Sequence, residues 1–149
     1  MLSDSDQILN LLYELDEHID KGRFDAAAEV FADATLSVHG GDLTVQGRDE
    51  LAAFLRRSIR LHDDGTPKTV HLTVNPIVDV DDAARTASAQ TFFTVFHASD
   101  EVPLQPVLGG ANFDTFRRTE RGWQLASRVV QVRLMGNVAP LVPEAEGAR

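Results

Sequence analysis

The chain contains no cysteine, so disulfides, thiolate nucleophiles and zinc sites built on sulfur are all excluded. Basic residues are scarce: 14 lysines and arginines face 23 aspartates and glutamates, for a formal charge of −9. That balance repels phosphate backbones and argues against nucleic acid as a partner. Arg56, Arg57 and Arg60 do cluster, but Asp63 and Asp64 follow at once, which reads as a solvated helix face. Long hydrophobic runs are missing too, and the start Met1-Leu2-Ser3-Asp4 is acidic where a signal peptide would be basic. A cytoplasmic protein with no membrane partner is therefore expected. What remains is 149 residues, 43% hydrophobic and 25% charged, enough for one domain with a real core.

The first strong pattern is helical. Ile8, Leu12, Leu15 and Ile19 recur at helical spacing, and Asp4 with Gln7 has the form of a capping box, predicting a helix over 5–21 that Gly22 breaks. Asp20 lies one residue beyond the stripe, about 100° around the helix, at the edge of the core that the stripe enters. A carboxylate there is costly unless something donates to it. Phe24 to Phe31 predicts a short second helix. Thr35 to His39 predicts a strand turning at Gly40-Gly41-Asp42, with Leu43-Thr44-Val45 pairing back. A third helix is expected over 48–61, with Leu51, Phe54, Leu55 and Ile59 inward.

From Thr69 onward the chain reads as strand. Thr69 to Val80 places Val70, Leu72, Val74, Val78 and Val80 on one side and His71, Thr73, Asn75 and Ile77 on the other, Pro76 marking a bulge or an edge. Ala84 to His97 follows, with Ala89, Phe93, Val95 and His97 sharing a face. Residues 99–110 read as a long loop around Pro103, Pro106 and Gly109-Gly110. Residues 111–119 and 122–134 then form a last hairpin. Helices first and an antiparallel meander afterwards is an α+β order. Several strands are apolar on both faces; helices cover one side, and a second copy of the chain is expected on the other, a homodimer through the sheet face. One domain is expected over 5–135, with a C-terminal tail over 136–149 that is loosely docked or disordered beyond Pro140.

The opening helix ending in aspartate, followed by Phe24-Asp25-Ala26-Ala27-Ala28-Glu29-Val30-Phe31, resembles that of SnoaL-like proteins of the NTF2-like superfamily. Gln46-Gly47-Arg48-Asp49-Glu50-Leu51, Val70-His71-Leu72-Thr73-Val74-Asn75-Pro76 and Phe116 to Leu125 agree with it. The resemblance covers residues 8–133. It implies a cone: a curved mixed or antiparallel sheet wrapped by about three N-terminal helices around a deep pocket. Its function classes range over dehydratases, isomerases, cyclases, ligand carriers and silent subunits. The nearest site pattern is that of scytalone dehydratase, in which an aspartate closing the first helix pairs with a strand histidine. A second histidine and an asparagine complete that pattern; they fall on Asp20, His71, His97 and Asn112. Two tyrosines of that pattern are Ile19 and His39 here, a departure that affects how a water would be held.

A buried carboxylate accepting from one imidazole nitrogen fixes the tautomer and stabilises the imidazolium, which is what a general base needs. Asp20 orienting His71 is that arrangement; the alternative is a helix-end aspartate and a satisfied sheet histidine. His97 would protonate a departing hydroxyl or hold a carbonyl, or else be a strand-end histidine. Asn112 and His39 would bind substrate oxygens, Tyr13 and Phe93 would line the pocket, and Arg133 would meet an anionic group at its mouth or form a surface ion pair. Two histidines and a carboxylate are also the donor set of a facial metal triad. No His-x-x-x-His helix supports that reading, and the superfamily generally works without metal, so neither metal nor cofactor is expected. The function expected is a cofactor-independent lyase or isomerase, dehydratase-like, acting on a hydrophobic oxygenated small molecule. A non-catalytic ligand-binding dimer and a polyketide-type aldol cyclase are the alternatives.

Overall fold

The computed structural model describes residues 1–144; the last part of the expected tail, residues 145–149, lies outside them. Three helices precede most of the sheet: α1 (Asp4–Asp20), α2 (Phe24–Phe31) and, after the short strands β1 (Thr35–Val38) and β2 (Thr44–Gln46), α3 (Gly47–Ser58). Four long strands follow: β3 (Thr69–Asp81), β4 (Thr86–His97), β5 (Gln105–Thr119) and β6 (Gly122–Met135). They form one sheet in the order β2-β1-β6-β5-β4-β3, antiparallel throughout except that β1 runs parallel to β6. The architecture is an α+β cone, a curved mixed sheet with the three helices against its concave face. No helix among the described residues is long and apolar enough to cross a membrane.

The capping box forms one residue earlier than expected. Ser3 accepts from the Asp6 amide at 3.1 Å while the Asp6 carboxylate accepts from the Ser3 amide at 3.2 Å. Asp4 is taken elsewhere, by the Trp123 indole at 3.0 Å and by Arg118, which anchors the start of α1 to the β5–β6 hairpin. At the other end of the helical layer, α3 stops at Ser58, three residues short of expectation, because Ile59 turns extended and points its side chain at the core.

Irregularities in the sheet decide which residues face inward. In β3 the register slips between Val74 and Ile77, with Asn75 in the left-handed region (φ 52°) and Pro76 on the edge strand, where its missing N–H costs no ladder bond. The extra residue inverts the alternation. Val70, Leu72 and Val74 face outward and are exposed, while Val78 and Val80 pack on the core, so the expectation that all five share one side is corrected. β5 begins at Gln105, so the second half of the expected loop over 99–110 is strand. Pro106 sits at a register shift opposite Phe96, and Gly109-Gly110 at another opposite Val132 and Leu134. A Cβ on Gly110 would lie 2.0 Å from the Gln131 carbonyl oxygen, so only glycine permits that close approach. Turn-forming residues here bend a strand that they do not end.

Two apolar clusters result. The larger joins the inner faces of the helices to Leu36, Val45, Ala87, Ala89, Phe116, Trp123 and Leu125. The smaller consists of Phe93, Val95 and Val107, on which Leu108, Val130, Val138 and Leu141 pack. The chain after β6 returns over this second cluster through the Gly136 amide on Val107 O, a 3-10 turn (Ala139–Leu141) and the Arg60 amide on Leu141 O. Between the clusters the concave face is open.

Candidate active site

The opening is a cavity of about 280 Å³. Its walls are aliphatic and aromatic: Leu15, Ile19, Phe31, Leu51, Phe54 and Leu55 from the helices, Ile59 just after α3, and Leu36, Phe93, Val95, Leu108, Val130 and Val132 from the strands. Only four polar side chains reach it, Asp16, His71, Asn112 and Arg128. Toward the end of the cone it continues into a mouth lined by Thr69, Met135, Val138, Leu141 and Val142, with His71 common to both parts.

His71 is placed by its carboxylate. Asp20 at the last turn of α1 meets the first residues of β3, and each of its oxygens is engaged. Oδ1 lies 2.5 Å from His71 Nδ1 and accepts the Thr69 hydroxyl at 2.8 Å; Oδ2 accepts the His71 backbone N–H at 2.7 Å. A carboxylate that can only accept requires the proton on Nδ1, which leaves Nε2 as the lone-pair nitrogen of the neutral ring. The helix-end acid and the strand histidine, 51 positions apart, thus form one unit.

Asp16, one turn earlier, is a site residue that the apolar pattern of α1 does not single out. It is buried on the inner face of α1, accepts the Thr73 hydroxyl at 2.6 Å and lines the cavity. Burial pushes its carboxyl above the ordinary value, and the nearby Asp20 charge adds to this; the Thr73 hydrogen bond and the charges of His71 and Arg128 oppose it. Its i,i+4 spacing to Asp20 was the available signal. A raised carboxyl binds its proton more tightly in the folded chain, so stability falls as pH rises from the unfolded value through the folded one. Asp16→Asn, which keeps the acceptor for Thr73, is therefore expected to be more stable than the parent above that window. The gap should close in acid, at about 1.4 kcal/mol for each unit of displacement. Urea denaturation across pH measures it; a pH-independent difference would contradict the assignment.

At the floor, Arg128 of β6 stands opposite Asp114 of β5 in register, donating from Nε at 2.7 Å and from Nη2 at 3.0 Å to the two carboxylate oxygens. Burial works against the guanidinium charge, and the Asp114 carboxylate with its two hydrogen bonds outweighs that and holds Arg128 above its ordinary value. Asn112, two residues before Asp114, lies beside this pair and lines the cavity, as does Phe93.

The other residues singled out in the sequence fall outside the cup. His97 is buried next to Thr69 in the β3–β4 register, its Nδ1 2.9 Å from the Lys68 carbonyl and its ring stacked on His62 at 5.9 Å. It does not line the cavity, and its Nε2 has no hydrogen-bond partner. Tyr13 is half-exposed in an outer groove between α1 and β3. His39 is exposed in the turn after β1. Arg133 lies on the convex face, over the Phe92 ring at 5.5 Å and bonded to Gln131, alternating with the cavity-lining Arg128, Val130 and Val132. Among the described residues, no group of three histidine, aspartate or glutamate side chains stands close enough to hold a metal ion.

A family model described as a SnoaL-like domain matches residues 1–129. No curated protein matches the chain. Among solved structures, an NTF2-like protein with a cystatin-like fold from Novosphingobium aromaticivorans is 24% identical with a TM-score of 0.72, covering 91% of this chain and 86% of that one. A scytalone dehydratase-like protein from the same organism is 18% identical, TM-score 0.70, covering 95% and 92%. ActVI-ORFA from Streptomyces coelicolor is 16% identical, TM-score 0.69, covering 86% and 96%. At these identities the structural likeness establishes the fold, and the family model establishes kinship. The chain belongs to the SnoaL-like domain family, carried on the NTF2-like cone.

Proposed function

We propose that the protein is a cofactor-independent dehydratase or isomerase acting on a small, hydrophobic, oxygenated cyclic molecule. The observation that carries this reading is the Asp20–His71 hydrogen bond at the wall of an open, apolar cavity. The imidazole removes a proton from the carbon next to a carbonyl; the electron pair moves into an enolate, and Nδ1–H···Asp20 stabilises the imidazolium. Where the substrate carries a β,γ double bond the enolate is a dienolate, and returning the proton to its γ-carbon, with the double bond moving into conjugation, completes an isomerisation. Passing it to a β-hydroxyl, which leaves as water while the enolate collapses to an enone, completes a dehydration. The scytalone dehydratase-like relative supports the second outcome. A cavity of about 280 Å³, at the low end of small-molecule sites, suits a one- or two-ring substrate.

The proton-removal step can be tested without knowing the substrate. Cyclic ketones incubated with the protein in D₂O should exchange their α-protons faster than in buffer, followed by NMR. Absence of exchange across a panel of ketones that bind would favour a carrier that kept the pocket.

The protein is further proposed to work as a homodimer. Val70, Leu72, Val74, Phe92 and Phe113 present an exposed apolar face on the convex side of the sheet. Sedimentation should give twice the chain mass, and Phe92→Glu should give single chains; a monomeric parent would remove the proposal.

A further inference from the structure

Arg128 is held from one side only. Asp114 takes Nε–H and one Nη2–H, which leaves Nη1 and the remaining Nη2 proton without a partner among the described residues. Arg128 is 8% exposed, and the exposure it has is toward the cavity that it lines. Asn112 is 5% exposed, borders the same cavity, and its amide forms no hydrogen bond within the described residues. In register, Asn112 stands opposite Val130 and Asp114 opposite Arg128, so the two free donors are neighbours on one patch of the concave face. Both residues keep donors that are reachable from the cavity, and a ligand oxygen placed between them would accept from both.

Charge decides what kind of oxygen. The guanidinium is already matched by Asp114, and the other ionisable groups around the cup are His71 and two acids, Asp16 and Asp20. There is no surplus positive charge to receive a carboxylate, and Asp16 and Asp20 would repel one. A neutral carbonyl has no such conflict. Its oxygen becomes negative only as a proton leaves the adjacent carbon, when a charged donor in a dry site contributes most.

We infer that Arg128 and Asn112 form a donor pair for the carbonyl oxygen of a neutral cyclic ketone, that this site discriminates against carboxylates, and that Arg128 is a catalytic residue for enolate formation. The last clause rests on the reading of His71 as the base; the binding preference does not.

Calorimetric titration with tetralone, its hydrocarbon counterpart tetralin, and naphthoate tests the preference. Tetralone should bind about tenfold to hundredfold more tightly than tetralin, the range of a charge-assisted hydrogen bond. Naphthoate should bind more weakly than tetralone, and the infrared carbonyl stretch of bound tetralone should move to lower frequency. Asn112→Leu should reduce the tetralone preference, and the paired replacement Arg128→Met with Asp114→Leu should abolish it, with tetralin affinity kept. Equal binding of tetralone and tetralin, tighter binding of naphthoate, or an unmoved carbonyl stretch would overturn the inference, and each is read on the parent protein even if the paired variant fails to fold. Preserved ketone preference without α-proton exchange would remove the role of His71 and the catalytic role of Arg128 while leaving the binding site standing.

Discussion

Replacing His71 by alanine is expected to slow α-proton exchange by about two to four orders of magnitude, the usual contribution of a positioned general base. The fold should survive. The imidazole is one of three groups on the Asp20 carboxylate; the Thr69 hydroxyl at 2.8 Å and the residue-71 backbone N–H at 2.7 Å remain in the variant. A loss of about 1 kcal/mol is expected for the missing hydrogen bond. Ketone affinity should change little, since the apolar walls and the Arg128–Asn112 patch are untouched. Asp20→Asn makes the complementary case. If its amide donates to Nδ1, the proton moves to Nε2, and the ring no longer has a lone pair where the substrate would lie. Exchange should then fall nearly as far as in His71→Ala, although the imidazole is still present. NMR exchange rates and calorimetric affinities on the two variants measure this. Undiminished exchange in His71→Ala would end the mechanism.

The pairing behind that prediction was legible early because it depends on helix periodicity and strand order, which local sequence carries. Asp20 follows the apolar stripe of α1 by one residue, and His71 lies near the start of the strand that packs on that helix's last turn. The floor was not legible. Asp114 and Arg128 become neighbours only once the β5–β6 register is known, and a shift between Thr115 and Phe116 alters the alternation along β6. Counting in steps of two from Trp123 and Leu125 therefore points Arg133 inward and loses Arg128, and this one shift reverses both. Bulges at Asn75-Pro76 and Gly109-Gly110 misled in the same way: glycine and proline mark departures from ideal geometry, and sequence does not say whether the chain turns or merely bends. His97 illustrates a different limit. Its inward direction follows from the period of β4, yet a side chain inside a cone can face the cavity or the wall, and a carbonyl at Lys68 with a stacking partner at His62 holds this one in the wall.

Asp114→Leu should be among the most destabilising single changes in the protein, by about 3–5 kcal/mol, with a melting temperature lower by about 10 °C or more. The reason lies in what is left behind. Arg128 cannot release its proton, so the variant buries a guanidinium whose two best hydrogen bonds have gone, with Asp16 as the nearest remaining acid. Arg128→Met leaves the other half, an Asp114 carboxylate buried without its partner, and should be destabilised as well. Removing both charges together, Arg128→Met with Asp114→Leu, strands neither, and buried ion pairs replaced by apolar groups of similar volume are often no less stable than the original. The double variant should therefore lie well above Asp114→Leu in urea denaturation, giving a large coupling between the two sites. An Asp114→Leu protein within about 1 kcal/mol of the parent would mean that water or a rearranged Asp16 already satisfies Arg128. The donors assigned to a ligand oxygen would then not be free to receive it. Stability and recognition meet at this pair: Asp114 binds one edge of the guanidinium tightly enough to keep it in the wall, and the edge it leaves open faces the cup.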